Sequence, residues 1–144
     1  MNYIIFDLEY NQQHPDDINT SEAKPPLLFE IIQIGAIKFT KDLKTLSTFN
    51  SLVKPNIHEK LHPYVENLTK INIEYLNSSK NFKSVYKEFI NFIGKEEHIL
   101  VVWGNSDIKE LIRNIEFYNL DVSKISNKYI DIQNYTSKLF KLPK

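Results

Sequence analysis

Cysteine is absent from the 144-residue chain, which excludes disulfides and thiolate metal sites. No apolar stretch reaches the roughly 18 residues that a membrane-spanning helix requires. Net charge is absent too, because 18 Lys and Arg are balanced by 18 Asp and Glu. That balance argues against strong sequence-independent binding to long duplexes, which needs a basic face. It leaves open a grip on one end of a single strand. Arginine is almost missing: Arg113 stands alone among the basic residues, so bidentate phosphate forks are nearly excluded and lysines must serve as point charges. The N-terminal run has no signal-peptide layout, and together with the lack of cysteine this fits a cytoplasmic address.

What is present reads as one globular domain over residues 1–144. Hydrophobic content of 42% and charged content of 25% are ordinary for such a domain, and the chain is long enough for a real core. Residues 2–8 read as a fully buried strand. Residues 11–27 carry Pro15, Pro25 and Pro26 and read as a long loop. Ile31 to Phe39 is strand-like, with Gly35-Ala36 suggesting close backbone approach or a bulge. A turn at 40–44 leads into a partner strand, Thr45 to Val53. Residues 54–81 read as loop with short helical pieces. Phe82, Val85, Tyr86, Phe89, Ile90 and Ile93 form one helical stripe closed by Gly94.

Ile99 to Trp103 reads as a second buried strand. Ile108, Leu111, Ile112 and Ile115 mark another helix, opened by Asn105 or Ser106. Lys128 to Ile132 reads as a fifth strand, and residues 133–141 as weakly helical. The order predicts an α/β domain: a mixed five-stranded sheet flanked by helices, with the first strand central because its run is apolar on both faces.

Two carboxylates stand out. Asp7 and Glu9 end the apolar run Tyr3-Ile4-Ile5-Phe6. Residues i and i+2 of a strand share a face, so the two carboxylates lie side by side. They are either polar residues at a strand's exposed end or a pair whose mutual repulsion a hard divalent cation would relieve. Asp107 lies just past the second buried strand, where sites of open α/β sheets form. If that strand is parallel to the first, Asp107 joins Asp7 and Glu9. The competing reading is an acid favoured by the dipole of a helix start.

Phe6-Asp7-Leu8-Glu9 resembles the first motif of the DEDD-type 3′–5′ exonucleases, the ribonuclease T and DnaQ-like group of the ribonuclease H-like superfamily. Glu30-Ile31-Ile32-Gln33-Ile34-Gly35-Ala36 resembles that family's second strand. Leu68-Thr69-Lys70-Ile71-Asn72 resembles the segment before its first long helix. Trp103-Gly104-Asn105-Ser106-Asp107 resembles its second motif, in the form seen in small RNA-trimming members. The four occur in order over nearly the whole chain. The resemblance implies a metal-dependent 3′–5′ exonuclease acting on single-stranded RNA or DNA, with RNA slightly favoured. Asp7, Glu9 and Asp107 would be its catalytic and metal-holding carboxylates, and Leu8, Tyr10 and Asn105 its substrate contacts. Two cations, Mg²⁺ or Mn²⁺, would activate water for in-line attack and stabilise the leaving 3′ oxygen. Glu30 would support the site's edge.

The resemblance stops short of the third motif, which supplies a His or Tyr general base and a fourth carboxylate. No His follows His98, and the only later Asp is Asp131 after Asp121. Asp131 corresponds to an acid that is not the fourth ligand. The general base is therefore unknown and absent from the chain, and the expectation is a C-terminally truncated domain without its last helix. Impaired activity would follow, with self-association through the surface that helix would cover.

His14 reads as a solvated loop residue rather than a substitute base. His58 and His62 read as surface residues, and His98 as exposed; none has zinc spacing. Trp103 reads as core. Tyr10 is the better aromatic for a terminal nucleotide. The Lys138 to Lys144 tail reads as a solvated charge run. The alternative function is a catalytically inactive nucleic-acid-binding or assembly module of the same fold. A ribonuclease H-like endonuclease is the weaker third reading.

Overall fold

Alternation along the first strand decides which face of the sheet is covered. Ile4, Phe6 and Leu8 are buried, whereas Ile5 and Asp7 between them are exposed. This strand, β1, runs from Asn2 to Asn11 in a computed structural model that describes residues 1–18 and 23–142. It is longer than the run at 2–8 suggested, and it is buried on one face only. The expected loop at 11–27 holds a short helix, α1 (Pro15–Ile18), and its residues 19–22 lie outside the described residues, as do Pro143 and Lys144 of the lysine-rich tail.

β2 (Glu30–Thr40) and β3 (Thr45–Leu52) form the expected hairpin across the turn at 40–44. Two short helices follow, α2 (Pro63–Thr69) and α3 (Ile73–Asn77). The apolar stripe becomes α4 (Phe82–Ile93). Asn81 caps its start by accepting from the Ser84 amide at 3.0 Å, and Gly94 closes its end at φ 77°. β4 (His98–Val102), α5 (Ser106–Phe117), β5 (Tyr129–Asp131) and α6 (Ile132–Phe140) complete the order, with a 3-10 turn at Val122–Lys124. No helix among the described residues is long and apolar enough to cross a membrane.

The five strands lie in the order β3-β2-β1-β4-β5, with β1 in the centre as expected. β1 is antiparallel to β2 and parallel to β4, and β4 is parallel to β5. The carboxyl ends of β1 and β4 therefore meet at one edge. α4 and α5 cover one face, where Phe82, Val85, Phe89, Ile108, Leu111 and Ile115 pack on Ile4, Phe6 and Leu8. On the other face a smaller cluster of Ile32, Leu61, Val65 and Leu76 seats α2 and α3. At the far side α6 lies against β4, where Val101, the register partner of exposed Ile5, is buried. The sheet between them stays open as a cleft of about 550 Å³, with Ile5, Asp7, Glu9, Gly35, Ile37 and Asn50 among its walls.

Gly35 does not form the expected bulge. It pairs with Asp7, and the register shifts fall instead at Glu9/Tyr10 and Lys38/Phe39. A Cβ at Gly35 would meet only the Asp7 carbonyl at 4.0 Å, so the glycine leaves bare floor beside Asp7 rather than permitting a forced approach. The irregularity at Glu9/Tyr10 matters more, because a bulge re-aims the side chains that follow it.

Candidate active site

Asp7 and Glu9 stand on the open face of the central strand, and Asp107 sits in the first turn of α5, just beyond β4. Strand pairing of β1 with β4 brings these distant segments to one edge. The three carboxylates lie in one another's field. Burial first, then Asp7, then Asp107, raises the pKa of Glu9 above the usual carboxylate range. Asp107 is pushed up to about 6, mainly by burial; the Tyr10 hydroxyl opposes the shift and Asp7 adds to it. Tyr10 lies beyond the register shift, with its ring against the core and its hydroxyl donating to Asp107 Oδ1. Burial and the charges of Asp107, Glu110 and Asp7 raise its own pKa strongly.

This pattern has a stability consequence. A folded-state pKa near 6 exceeds the ordinary aspartate value of 3.8, so folding takes up a proton between those limits. Stability in EDTA should therefore fall as pH rises from 4 to 6 and stay low above 6. Asp107→Asn removes that cost. In EDTA at pH 7 it is expected to stabilise the protein by about 1–2 kcal/mol after allowance for solvent screening. At pH 4 it should change little, and thermal melts at the two pH values check both.

Glu110 was not singled out by the sequence. It lies one turn beyond Asp107, is buried, and pairs with Arg113 through Oε1. Its Oε2 is buried with no hydrogen-bond partner. Only its spacing from Asp107 hinted at it, and the same spacing is common on solvated helix faces.

Glu30 supports the site's edge with a fuller network than a strand-end acid suggests. At 2% exposure it accepts from the amides of Asn56, Ile57 and His58, and from the Tyr118 hydroxyl at 3.1 Å. Asn11, also buried, receives the His62 amide and donates to the His58 and Lys60 carbonyls. Together these tie the 54–62 segment to the carboxyl end of β1. A second small cleft of about 150 Å³ opens there, lined by Glu9, Tyr10, Phe29, Tyr64, Leu68 and Thr69 among others. It places the Leu68-Thr69 segment beside Glu9.

Several expected positions change on inspection. Leu8 projects into the core between β1 and the helices, which leaves only its backbone for a ligand. Trp103 is not core: it follows the last residue of β4 and is 63% exposed. His58 is buried rather than superficial, with Nε2 at 2.9 Å from the Leu27 carbonyl. His98 is half-buried rather than exposed, with Nδ1 at the Glu96 carbonyl. His62 caps α2 through Nδ1, and His14 accepts from the Asp16 amide, so both are engaged locally. Asn105 takes the cap position of α5 but makes no side-chain cap bond and stays exposed. Asp131 caps α6 and holds the Gly104 amide at 3.2 Å.

No group of three or more His, Asp or Glu side chains among the described residues is already arranged to hold a metal ion. The donor chemistry nevertheless fits a hard divalent cation. Asp7, Glu9 and Asp107 offer only oxygen, repel one another and are partly desolvated, and a cation removes that repulsion. Asp107 must release the Tyr10 hydroxyl, or use its other oxygen, to take part.

Mixed strand order with acids gathered at the carboxyl ends of parallel β1 and β4 defines the ribonuclease H-like class. The RNase_T exonuclease family model matches residues 4–142, and the chain belongs to that family. DNA polymerase III subunit epsilon of Buchnera aphidicola subsp. Schizaphis graminum (strain Sg) is 28% identical over 115 residues, which covers 80% of this chain and 45% of that protein. The chain thus spans about half the length of that curated relative. The nuclease domain of 3'hExo, a DEDDh family member bound to rAMP, superposes with a TM-score of 0.80 at 23% identity over 99% of this chain and 72% of its own. Cell-death related nuclease 4 (CRN-4) superposes at 0.73 and 21% identity, over 99% and 49% respectively. These similarities establish the fold.

Proposed function

We propose that this domain hydrolyses phosphodiester bonds at the 3′ end of single-stranded nucleic acid with the help of divalent cations. The single observation that carries the reading is the gathering of Asp7, Glu9 and Asp107 into one shared field at the edge of an open cleft. Asp7, Glu9 and Asp107 would together hold the cations, Mg²⁺ or Mn²⁺. When bound, such ions supply activation of water and neutralisation of charge at the scissile phosphate.

The chain's own residues do the rest. The cleft beside Glu9 and Tyr10, walled by Phe29, Tyr64 and Leu68, would receive the terminal nucleotide, with Tyr10 and Phe29 as its aromatic face. Asn105 and the backbone of Leu8 would contact the strand near its end. RNA is slightly favoured, in keeping with a fold relative whose structure concerns 3′-end recognition of histone mRNA stem-loop. Self-association belongs to the same proposal, because Ile5, Ile37, Leu139 and Phe140 are exposed.

A second reading is favoured by one specific observation, the engagement of Asp107 Oδ1 by the Tyr10 hydroxyl. It is a module that binds strands without cutting them. A 5′-labelled single-stranded RNA and its DNA counterpart, incubated with Mn²⁺ or with EDTA, separate the two. A ladder shortening stepwise from the 3′ end, seen only with the cation, supports the exonuclease. Retention of the intact strand without cleavage supports the binding module.

A further inference from the structure

A third cleft lies where the cap of α5, β5 and α6 come together. It has a volume of about 540 Å³ and is lined by Asn105, Tyr129, Asp131, Asn134, Tyr135 and Lys138. It is built from two segments that Asp131 locks together: its Oδ1 accepts from the Gly104 amide at 3.2 Å and from the Asn134 amide at 2.9 Å. One carboxylate therefore fixes both the exit of β4 and the start of α6. Gly104, at φ 82°, makes the turn between exposed Trp103 and exposed Asn105. A side chain there would be strained and would strike Gln133 Oε1 at 2.8 Å.

Its walls are unusual for a solvated surface. Tyr135 is 69% exposed, and Tyr129 is exposed as well. The Asn134 Oδ1 atom is buried without a hydrogen-bond partner among the described residues, which costs free energy unless something donates to it. Lys138 has no ion-pair partner among the described residues. Aromatic faces, an unfilled amide acceptor and one cation match the needs of an unpaired nucleotide: a base to stack, exocyclic amino hydrogens to donate, and a phosphate to neutralise. They do not match a duplex, whose bases are already stacked and paired.

We propose that this cleft is a second nucleotide subsite, a stacking platform for bases of a single strand upstream of its 3′ end. Tyr135 and Tyr129 supply faces, Asn134 an acceptor and Lys138 a phosphate contact. The inference rests on the nuclease reading of Asp7, Glu9 and Asp107 for its direction, since Asn105 places the cleft two residues from Asp107. Its physical basis is independent of cleavage.

Trp103 is the only tryptophan in the chain and lies two residues from Asn105 of the cleft wall, so its fluorescence responds to a strand bound there. The test is titration of the protein, in EDTA, with an end-labelled eight-nucleotide oligoadenylate RNA and its DNA counterpart. Label anisotropy reads binding and Trp103 fluorescence reads stacking. Strong quenching on binding is expected, with affinity weakened about tenfold by Tyr135→Ala, as loss of one base–aromatic stack implies. Lys138→Gln should weaken binding in low salt and flatten its salt dependence.

Binding with unchanged Trp103 emission and no effect of Tyr135→Ala would overturn the platform while leaving the carboxylate site standing. Absence of any binding would overturn it too, and the ladder assay then shows separately whether hydrolysis at the carboxylates survives. Equal results for RNA and DNA, or a preference for either, all support the platform provided quenching and the Tyr135 effect are present.

Discussion

Asp7→Asn is expected to lower cation-dependent hydrolysis by about a thousandfold, at the upper end of what removing one preorganised electrostatic partner costs. Asp7 occupies the one position that faces Glu9 along the strand, influences Asp107 across the edge and borders the open cleft. Removing its charge withdraws one of three negative charges from any cation held there. The fold should not suffer. The side chain is exposed, asparagine keeps its shape, and the backbone pairs with Gly35 whatever the side chain carries. In EDTA the variant should melt at the same temperature as the parent or slightly higher, because Asp7 is a source of repulsion for both neighbours. With Mn²⁺ the parent should gain thermal stability by mass action and the variant should not. Single-turnover cleavage rates together with melts in the two buffers distinguish loss of the site from loss of the fold. Full activity in the variant would remove Asp7 from the mechanism.

Glu30→Ala carries the largest expected stability cost. The wild-type carboxylate is almost completely buried and satisfies three successive backbone amides as well as the Tyr118 hydroxyl. Truncation leaves those donors desolvated and unpaired in one place. The expected loss is roughly 3–4 kcal/mol, a fall in melting temperature on the order of 10 °C for a domain of this size. A specific signature accompanies it. Burial and, next, the Glu30 charge hold the Tyr118 phenol well above its usual pKa, so the variant should titrate at lower pH in ultraviolet absorbance. A merely looser fold without that shift would mean that Glu30 acts only as packing. The 54–58 segment anchored by Glu30 leads into the residues that border Glu9, so cation affinity should fall as well.

The elements most legible in the sequence were those with unambiguous periodicity. The stripe from Phe82 to Ile93 gave α4 with its Gly94 cap, and the apolar run at 3–6 gave a central β1. Asp7 and Glu9 were legible because a period of two is enough to place them together. Less legible was everything set by what covers the sheet. The sequence pattern of β1 is apolar on both faces, yet the core beneath α4 and α5 takes only Ile4, Phe6 and Leu8, and Ile5 is exposed. Trp103 follows three buried residues and reads as their continuation, but Gly104 turns the chain one position later and leaves the indole outside. His58 looked superficial because its burial depends on Glu30 and Leu27, which are distant in sequence. The Tyr10–Asp107 contact was likewise invisible, since it requires the β1–β4 pairing and the register shift after Glu9.

The central place of β1 has a kinetic meaning. Its amides and carbonyls are engaged by β2 from Asn2 to Asn11 along one edge and by β4 over Asn2 to Ile5 along the other. Such a strand cannot fray from the sheet's margin, so its hydrogen exchange should require opening of the whole domain. Asp107 is carried differently, in the first turn of a helix whose cap residue offers no side-chain bond. Local opening there takes far less free energy than opening the sheet. Two of the carboxylates thus stand on a strand whose first half is the slowest-exchanging part of the molecule, and the third on a faster one. A cation joining them would couple the two, and the amides of residues 106–109 would be the ones to gain protection when it binds.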